Sequence, residues 1–127
     1  MLCHPRIRPL TKEFTNDDPT KVAAGNIKYD AGKVAVFQGA IDYFPRAIEA
    51  VAGISQFGAS KYAWKGWEGV DDGYNRYSNA MVRHLIKRGI EGPFDSDSKL
   101  LHDAHCAWNA LARLELYLRD QEVDVRT

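Results

Sequence analysis

Apolar side chains recur every three to four residues over three stretches of this chain, and that spacing commits it to α-helices. Ala47, Ile48, Val51, Ile54 and Gly58 form the first stripe. Pro45 suits its opening turn, where a missing N–H costs little, and it should end near Ser60 to Tyr62. The second helix runs from about Tyr74 to Arg88, with Tyr74, Tyr77, Met81, His84 and Leu85 on its inner face and Gly89 as its stop. The third runs from about Ser98 to Asp120 through Leu101, Ala104, Trp108, Leu111, Glu115 and Leu118. His102, His105 and Asn109 follow an adjacent stripe at i, i+3, i+7. Short connections between the helices suit antiparallel neighbours.

The remaining segments read differently. Pro5, Pro9 and Pro19 punctuate residues 1–26, which are expected to form an irregular arm. Residues 27–37 fall into two short extended runs around Asp30-Ala31-Gly32-Lys33, the pattern of a small β-hairpin. Residues 121–127 read as a frayed end. A chain of 127 residues is expected to hold one domain, here a helical domain over 27–120. The expected fold is mainly α: a small helical bundle of about three main helices with a short N-terminal β-hairpin. Wide apolar stripes around Met81 and Trp108 exceed what three helices can cover, so oligomerisation should complete the bundle, as a homodimer or a higher homo-oligomer.

Composition narrows the function classes. With 45% hydrophobic and 27% charged residues the chain can build a core. No apolar run approaches a membrane span and the N-terminus lacks a secretory apolar region, so no membrane partner is expected. Two cysteines, Cys3 and Cys106, make neither a disulfide framework nor a zinc ribbon, which points to a reducing cytoplasm. A net charge of zero argues against a broad nucleic-acid-binding face. The charge is uneven, however: residues 61–90 carry six Lys/Arg against three Asp/Glu, and residues 91–127 carry four against eight. A basic wall facing an acidic one suits a phosphate ligand held with a divalent cation; ordinary surface charge or head-to-tail pairing is the plainer explanation.

Two constellations carry chemistry. His84, late in the second helix, should meet His102, Asp103 and His105, early in the third, beside the acidic loop of Asp95 and Asp97. Imidazoles and carboxylates together suit zinc or manganese, whereas magnesium prefers carboxylates. The alternative is that each histidine satisfies a buried backbone carbonyl or a tyrosine hydroxyl. In the second constellation, Tyr62, Trp64, Trp67, Tyr74 and Tyr77 flank Lys61, Lys65, Arg76 and Arg83. Nucleobases stack on aromatic faces and phosphates pair with Lys and Arg; packing is the commoner fate of aromatics in a small helical domain.

The run Lys28-Tyr29-Asp30-Ala31-Gly32-Lys33 resembles the KYDxGK opening of a small, mostly phage family named for its dATP/dGTP diphosphohydrolase N-terminal domain. Phe57-Gly58-Ala59-Ser60-Lys61-Tyr62, followed by Trp64 or Trp67, is similar to that family's FGAxKY…NW block. Arg83-His84-Leu85, then Asp95 to Ser98, then Leu100, His102 and His105, resembles its RHL…DxxS…L.H..HA block. The resemblance covers about residues 27–117. It implies an all-α domain distantly similar to the MazG-like nucleotide pyrophosphohydrolases, which cut the α–β phosphoanhydride of a nucleoside triphosphate with helix-held magnesium. Three departures stand out: the family's Gly-Glu after RHL falls displaced and reversed at Glu91-Gly92, the Gly that usually follows the Ser is Lys99, and the MazG-like EExxE carboxylates are absent.

The resemblance implies a phage protein acting on purine (deoxy)nucleotides in the host cytoplasm as a metal-dependent pyrophosphohydrolase. The expected catalytic residues are Asp95, His102 and His105. A divalent metal, magnesium or manganese ahead of zinc, would lie among His84, Asp95, Asp97, His102 and His105. Lys61, Arg76 and Arg83 would hold phosphates, with Tyr62, Trp64 and Trp67 on the base. The alternative function is non-catalytic: a sponge that sequesters a nucleotide immune signal in a pocket of the oligomer.

Overall fold

The computed structural model describes residues 32–126, with side chains as far as Gln121. The arm and Cys3 lie outside them, as do residues 27–31 of the expected hairpin. Within the rest of that hairpin, Gly32 turns with φ of 82° and the backbone is helical from Val36. The chain divides into two compact units at Tyr43. In the first, the described residues form a single π-helical turn, Phe37–Ile41.

The second unit is built of three helices: α1 (Pro45–Lys61), α2 (Gly73–Glu91) and α3 (His102–Arg126), with a 3-10 turn at Gly66–Gly69 before α2. The mainly helical fold expected from the apolar spacing is the one observed. Pro45 occupies the first turn of α1, and the Tyr62 N–H closes its end on the Gly58 carbonyl. α3 packs along α2 and, less extensively, against α1. Gly73 is buried at the start of α2, where a Cβ would come within 3.2 Å of the Tyr77 ring and 3.3 Å of Leu116. A glycine therefore sets how closely α2 approaches α3 there. Arg113 then ties α3 to α2 through the Ser78 hydroxyl at 2.5 Å and the Tyr74 hydroxyl at 2.8 Å.

Two boundaries differ from the apolar pattern, each for a local reason. Gly89 keeps helical geometry inside α2, and the helix stops at Gly92, whose φ of 97° ends the helical run. α3 starts at His102 rather than near Ser98 because residues 93–102 close on themselves. Asp95 N–H bonds to the Leu100 carbonyl, Lys99 N–H to the Asp95 carbonyl and His102 N–H to the Pro93 carbonyl, each at 2.8 Å. Lys99, with φ of 66°, forbids a helix through this loop. A single antiparallel bridge, Phe94 to Leu101, staples it.

Among the described residues the buried interior is small and unusually polar. Ile54, Ala104 and Ala112 are its buried hydrophobic residues, while Asp95, His102, His105 and Asn109 are buried beside them. Leu85, expected on the inner face of α2, faces outward instead, with Val82, Ile86 and Ile90, the last 78% exposed. These four recur at helical spacing on one side of α2. Among the described residues no helix is long and apolar enough to cross a membrane.

Candidate functional site

The closed loop delivers carboxylates to the histidines. An Asp side chain readily accepts N–H groups two and three residues on, and Asp95 does so: Oδ1 accepts the Asp97 N–H at 3.2 Å and Oδ2 accepts the Ser98 N–H at 3.4 Å. The Ser98 hydroxyl also donates to Oδ2 at 3.0 Å and lies 2.8 Å from His105 Nε2. Burial alone would raise the Asp95 carboxyl; the bonds from Asp97 and Ser98 outweigh it and hold the group below its ordinary range. Asp95 is therefore an ionised, acceptor-only group, 3.7 Å from His105.

The three imidazoles come from two helices. His84 and His105 stack in parallel, ring centres 4.1 Å apart and planes within 1°. His84 Nδ1 faces His102 Nδ1 at 2.9 Å. His102, with no exposed surface, meets the Glu91 carboxylate through Nε2 at 2.5 Å. That bond, more than any other contact, holds Glu91 below the usual carboxylate range, helped by the Ser96 N–H. Burial lowers the His84 pKa, against the pull of Asp95. Burial likewise lowers His105, to about 4, reinforced by His84. Both rings are neutral at neutral pH, and each keeps one nitrogen lone pair.

Among the described residues, two groups of side chains bring donor atoms within 4.8 Å of one another: His84, Asp95 and His105, and Glu91, Asp95 and His102. Asp95 is common to both. Two imidazoles and a carboxylate fit a borderline divalent ion by donor chemistry. An imidazole lone pair lies in the ring plane, so two parallel rings cannot both direct theirs at one ion until one of them turns.

This site lies within a stretch that a family model covers: the model described as dATP/dGTP diphosphohydrolase, N-terminal, matches residues 22–126. The chain belongs to that family. No curated protein and no solved structure matches it. The family description places this dATP/dGTP diphosphohydrolase N-terminal domain among nucleotide-related domains.

Of the residues singled out in the sequence of this family domain, the fold brings His84, Asp95, His102 and His105 together. Asp97 is exposed, belongs to neither donor group and contributes its backbone N–H to Asp95. Glu91 and Ser98 complete the cluster although neither was among the expected site residues. Glu91 had been visible as the displaced Glu of the family block. Ser98 stood in the quoted motif, but its contact with His105 depends on the loop closure.

The aromatic and basic residues belong to neither donor group, although Phe57, which carries the Lys61 ammonium, meets the His105 ring edge-on at 6.3 Å and the Arg83 charge acts on His84. Tyr62 and Trp64 are 79% and 69% exposed. The Lys61 ammonium rests 5.2 Å from the Phe57 ring centre and 5.7 Å from that of Tyr62. Arg76 and Arg83 are exposed on α2. Trp67 is half-buried: it packs edge-on against Tyr77 and Trp108, and the Arg119 guanidinium lies 5.4 Å from its ring centre. An open depression of about 440 Å³ adjoins it, lined by Val51, Ser55, Trp67, Trp108, Glu115 and Arg119 among others. It contains none of the clustered histidines. Arg119 there is already paired with Glu68 at 2.8 Å and Glu115 at 2.7 Å.

Proposed function

We propose that this domain acts on purine (deoxy)nucleoside triphosphates as a metal-dependent pyrophosphohydrolase, with the reacting end at the histidine–aspartate cluster. One observation carries the reading: Asp95 and the neutral imidazoles of His84 and His105 converge in a domain of this family. Asp95 with one ring of the stacked pair would hold a divalent ion: the imidazole suits manganese or zinc, and magnesium, which the family resemblance implies, would rest on the carboxylate. A bound ion supplies charge neutralisation of the phosphates and a more acidic water. The other imidazole, neutral and lone-pair bearing, is suited to accept a proton from water. Asp97 and His102 are less suited to ligation, the first because it is exposed and belongs to neither donor group and the second because both its nitrogens are engaged. The exposed Lys61, Arg76 and Arg83 are available for phosphates, and Tyr62 and Trp64 offer open ring faces to a base.

The apolar face of α2 formed by Val82, Leu85, Ile86 and Ile90 supports a second copy of the chain as partner. In this reading the oligomer acts in the cytoplasm of a phage-infected cell. The depression at Trp67 and Trp108 favours a second reading, in which a nucleotide is captured without cleavage. Its volume is within the usual range for small-molecule sites, and Arg119 in its wall would have to leave Glu68 and Glu115 to meet a phosphate. A panel of (deoxy)nucleoside triphosphates with magnesium, manganese or zinc, followed by mass spectrometry, separates the two readings. Monophosphate and pyrophosphate as products support the hydrolase; recovery of intact nucleotide from the denatured protein supports the binder.

A further inference from the structure

A carboxylate, a buried imidazole and a half-buried imidazole lie in sequence at hydrogen-bonding distance: Glu91 Oε2 to His102 Nε2 at 2.5 Å, then His102 Nδ1 to His84 Nδ1 at 2.9 Å. An ionised carboxylate only accepts, so the proton of the first bond sits on His102 Nε2. In its neutral form His102 carries a single N–H, which leaves its Nδ1 as an acceptor. The proton between the two Nδ1 atoms must then belong to His84. We infer that Glu91, acting through His102, locks His84 as its Nδ1–H tautomer and so leaves Nε2 as the free lone pair of the site.

Burial makes the lock effective. His102 has no exposed surface, so water cannot replace either partner. Its ring cannot flip without exchanging both bonds. The same logic orders the neighbouring ring. Ser98 donates its hydroxyl proton to Asp95 and accepts the Leu100 N–H at 3.2 Å, so its remaining lone pair takes His105 Nε2–H. His105 Nδ1 is left free. Each imidazole of the stacked pair is thus tied by one nitrogen to a carboxylate, His84 through His102 and His105 through Ser98. Metal-binding histidines are commonly oriented this way by the group bonded to their other nitrogen. Glu91 and His102 are therefore positioning residues, and His84 Nε2 is the nitrogen offered to an ion. The assignment to an ion rests on the metal-dependent reading above; the tautomer does not.

The test uses the whole chain, metal-free and 15N-labelled, at pH 8, where imidazoles are neutral. Two-bond proton–nitrogen correlation spectra read which nitrogen of each histidine is protonated. The expected result is Nδ1–H on His84 and Nε2–H on His102. In Glu91→Gln, whose amide can donate as well as accept, the preference should be lost, as in Glu91→Ala. Glu91 is exposed, so helix content should hold in both variants; a packing role alone predicts that Gln behaves like Glu. Zinc titration should then show both variants binding about 10–100-fold more weakly than the parent. Nε2–H on His84 in the parent, or the same tautomer in parent and variants, overturns the inference. The expected tautomers without zinc, manganese or magnesium affinity would support the lock and sink the metal-dependent reading instead. Zinc binding that Glu91 does not affect would overturn the lock's role in ligation and leave the metal-dependent reading standing.

Discussion

Mild acid should destabilise this fold through His105 well before its carboxylates protonate. Burial, aided by His84, lowers the folded-state pKa of His105 from 6.5 to about 4. A neutral imidazole is favoured in the native state, so below pH 6.5 the unfolded chain binds a proton that the native chain refuses. Stability is then fully present above pH 6.5, falls by about 1.4 kcal/mol per pH unit, and stops falling below about pH 4. Between pH 7.5 and 5 the loss amounts to about 2 kcal/mol, or roughly 8–16 °C in Tm for a domain of this size. His84, also lowered by burial, adds to the slope with the same sign. Asp95 and Glu91 act in a separate window: their lowered pKa values contribute stability that is lost only as pH falls below the ordinary carboxylate range. Urea unfolding at half-unit steps from pH 7.5 to 4.5 measures the curve. His105→Gln will start less stable, because it disturbs Ser98, but its curve should be shallower over pH 6.5–4. A parent curve flat from pH 7.5 to 5, or an unchanged slope in the variant, would refute the assignment.

Other perturbations follow from the same contacts. Ser98→Ala removes the hydroxyl shared by Asp95, His105 and the Leu100 N–H; chemical denaturation should record a loss of about 1–3 kcal/mol for the buried groups left unpaired. Trp67→Ala should cost about 3–5 kcal/mol in the same assay because the ring packs on Tyr77 and Trp108. Trp64→Ala, at an exposed ring, should stay within about 0.5 kcal/mol, which makes it the cleaner probe of base stacking. Arg83→Ala should likewise leave stability unchanged while calorimetry shows nucleotide affinity falling about ten- to a hundredfold. Replacing exposed Leu85 and Ile90 by Glu should lower the mass seen by light scattering; a parent that is already monomeric at micromolar concentration removes the dimer proposal.

The helical class, Pro45 at the head of α1 and the stripe of His102, His105 and Asn109 on α3 were legible in the sequence because each depends on neighbours within one or two turns. Three ordered motif blocks likewise pointed to the family without any tertiary contact. Loop closure was not legible. Asp95 captures N–H groups that a helix from Ser98 would have used, and Lys99 adopts a left-handed backbone to allow it. That closure brings Ser98 to His105. Glu91, at the end of α2, reaches His102 because α2 runs to Gly92 rather than stopping at Gly89. Trp67 and Leu85 show the opposite limit: the helical and aromatic patterns marked both as apolar, but only the packing of α3 against α2 decided which apolar side chain was covered. Residue spacing along a helix sets which side chains share a face; which face meets a partner, and which imidazole nitrogen is left free, depends on contacts between residues 11 to 18 positions apart.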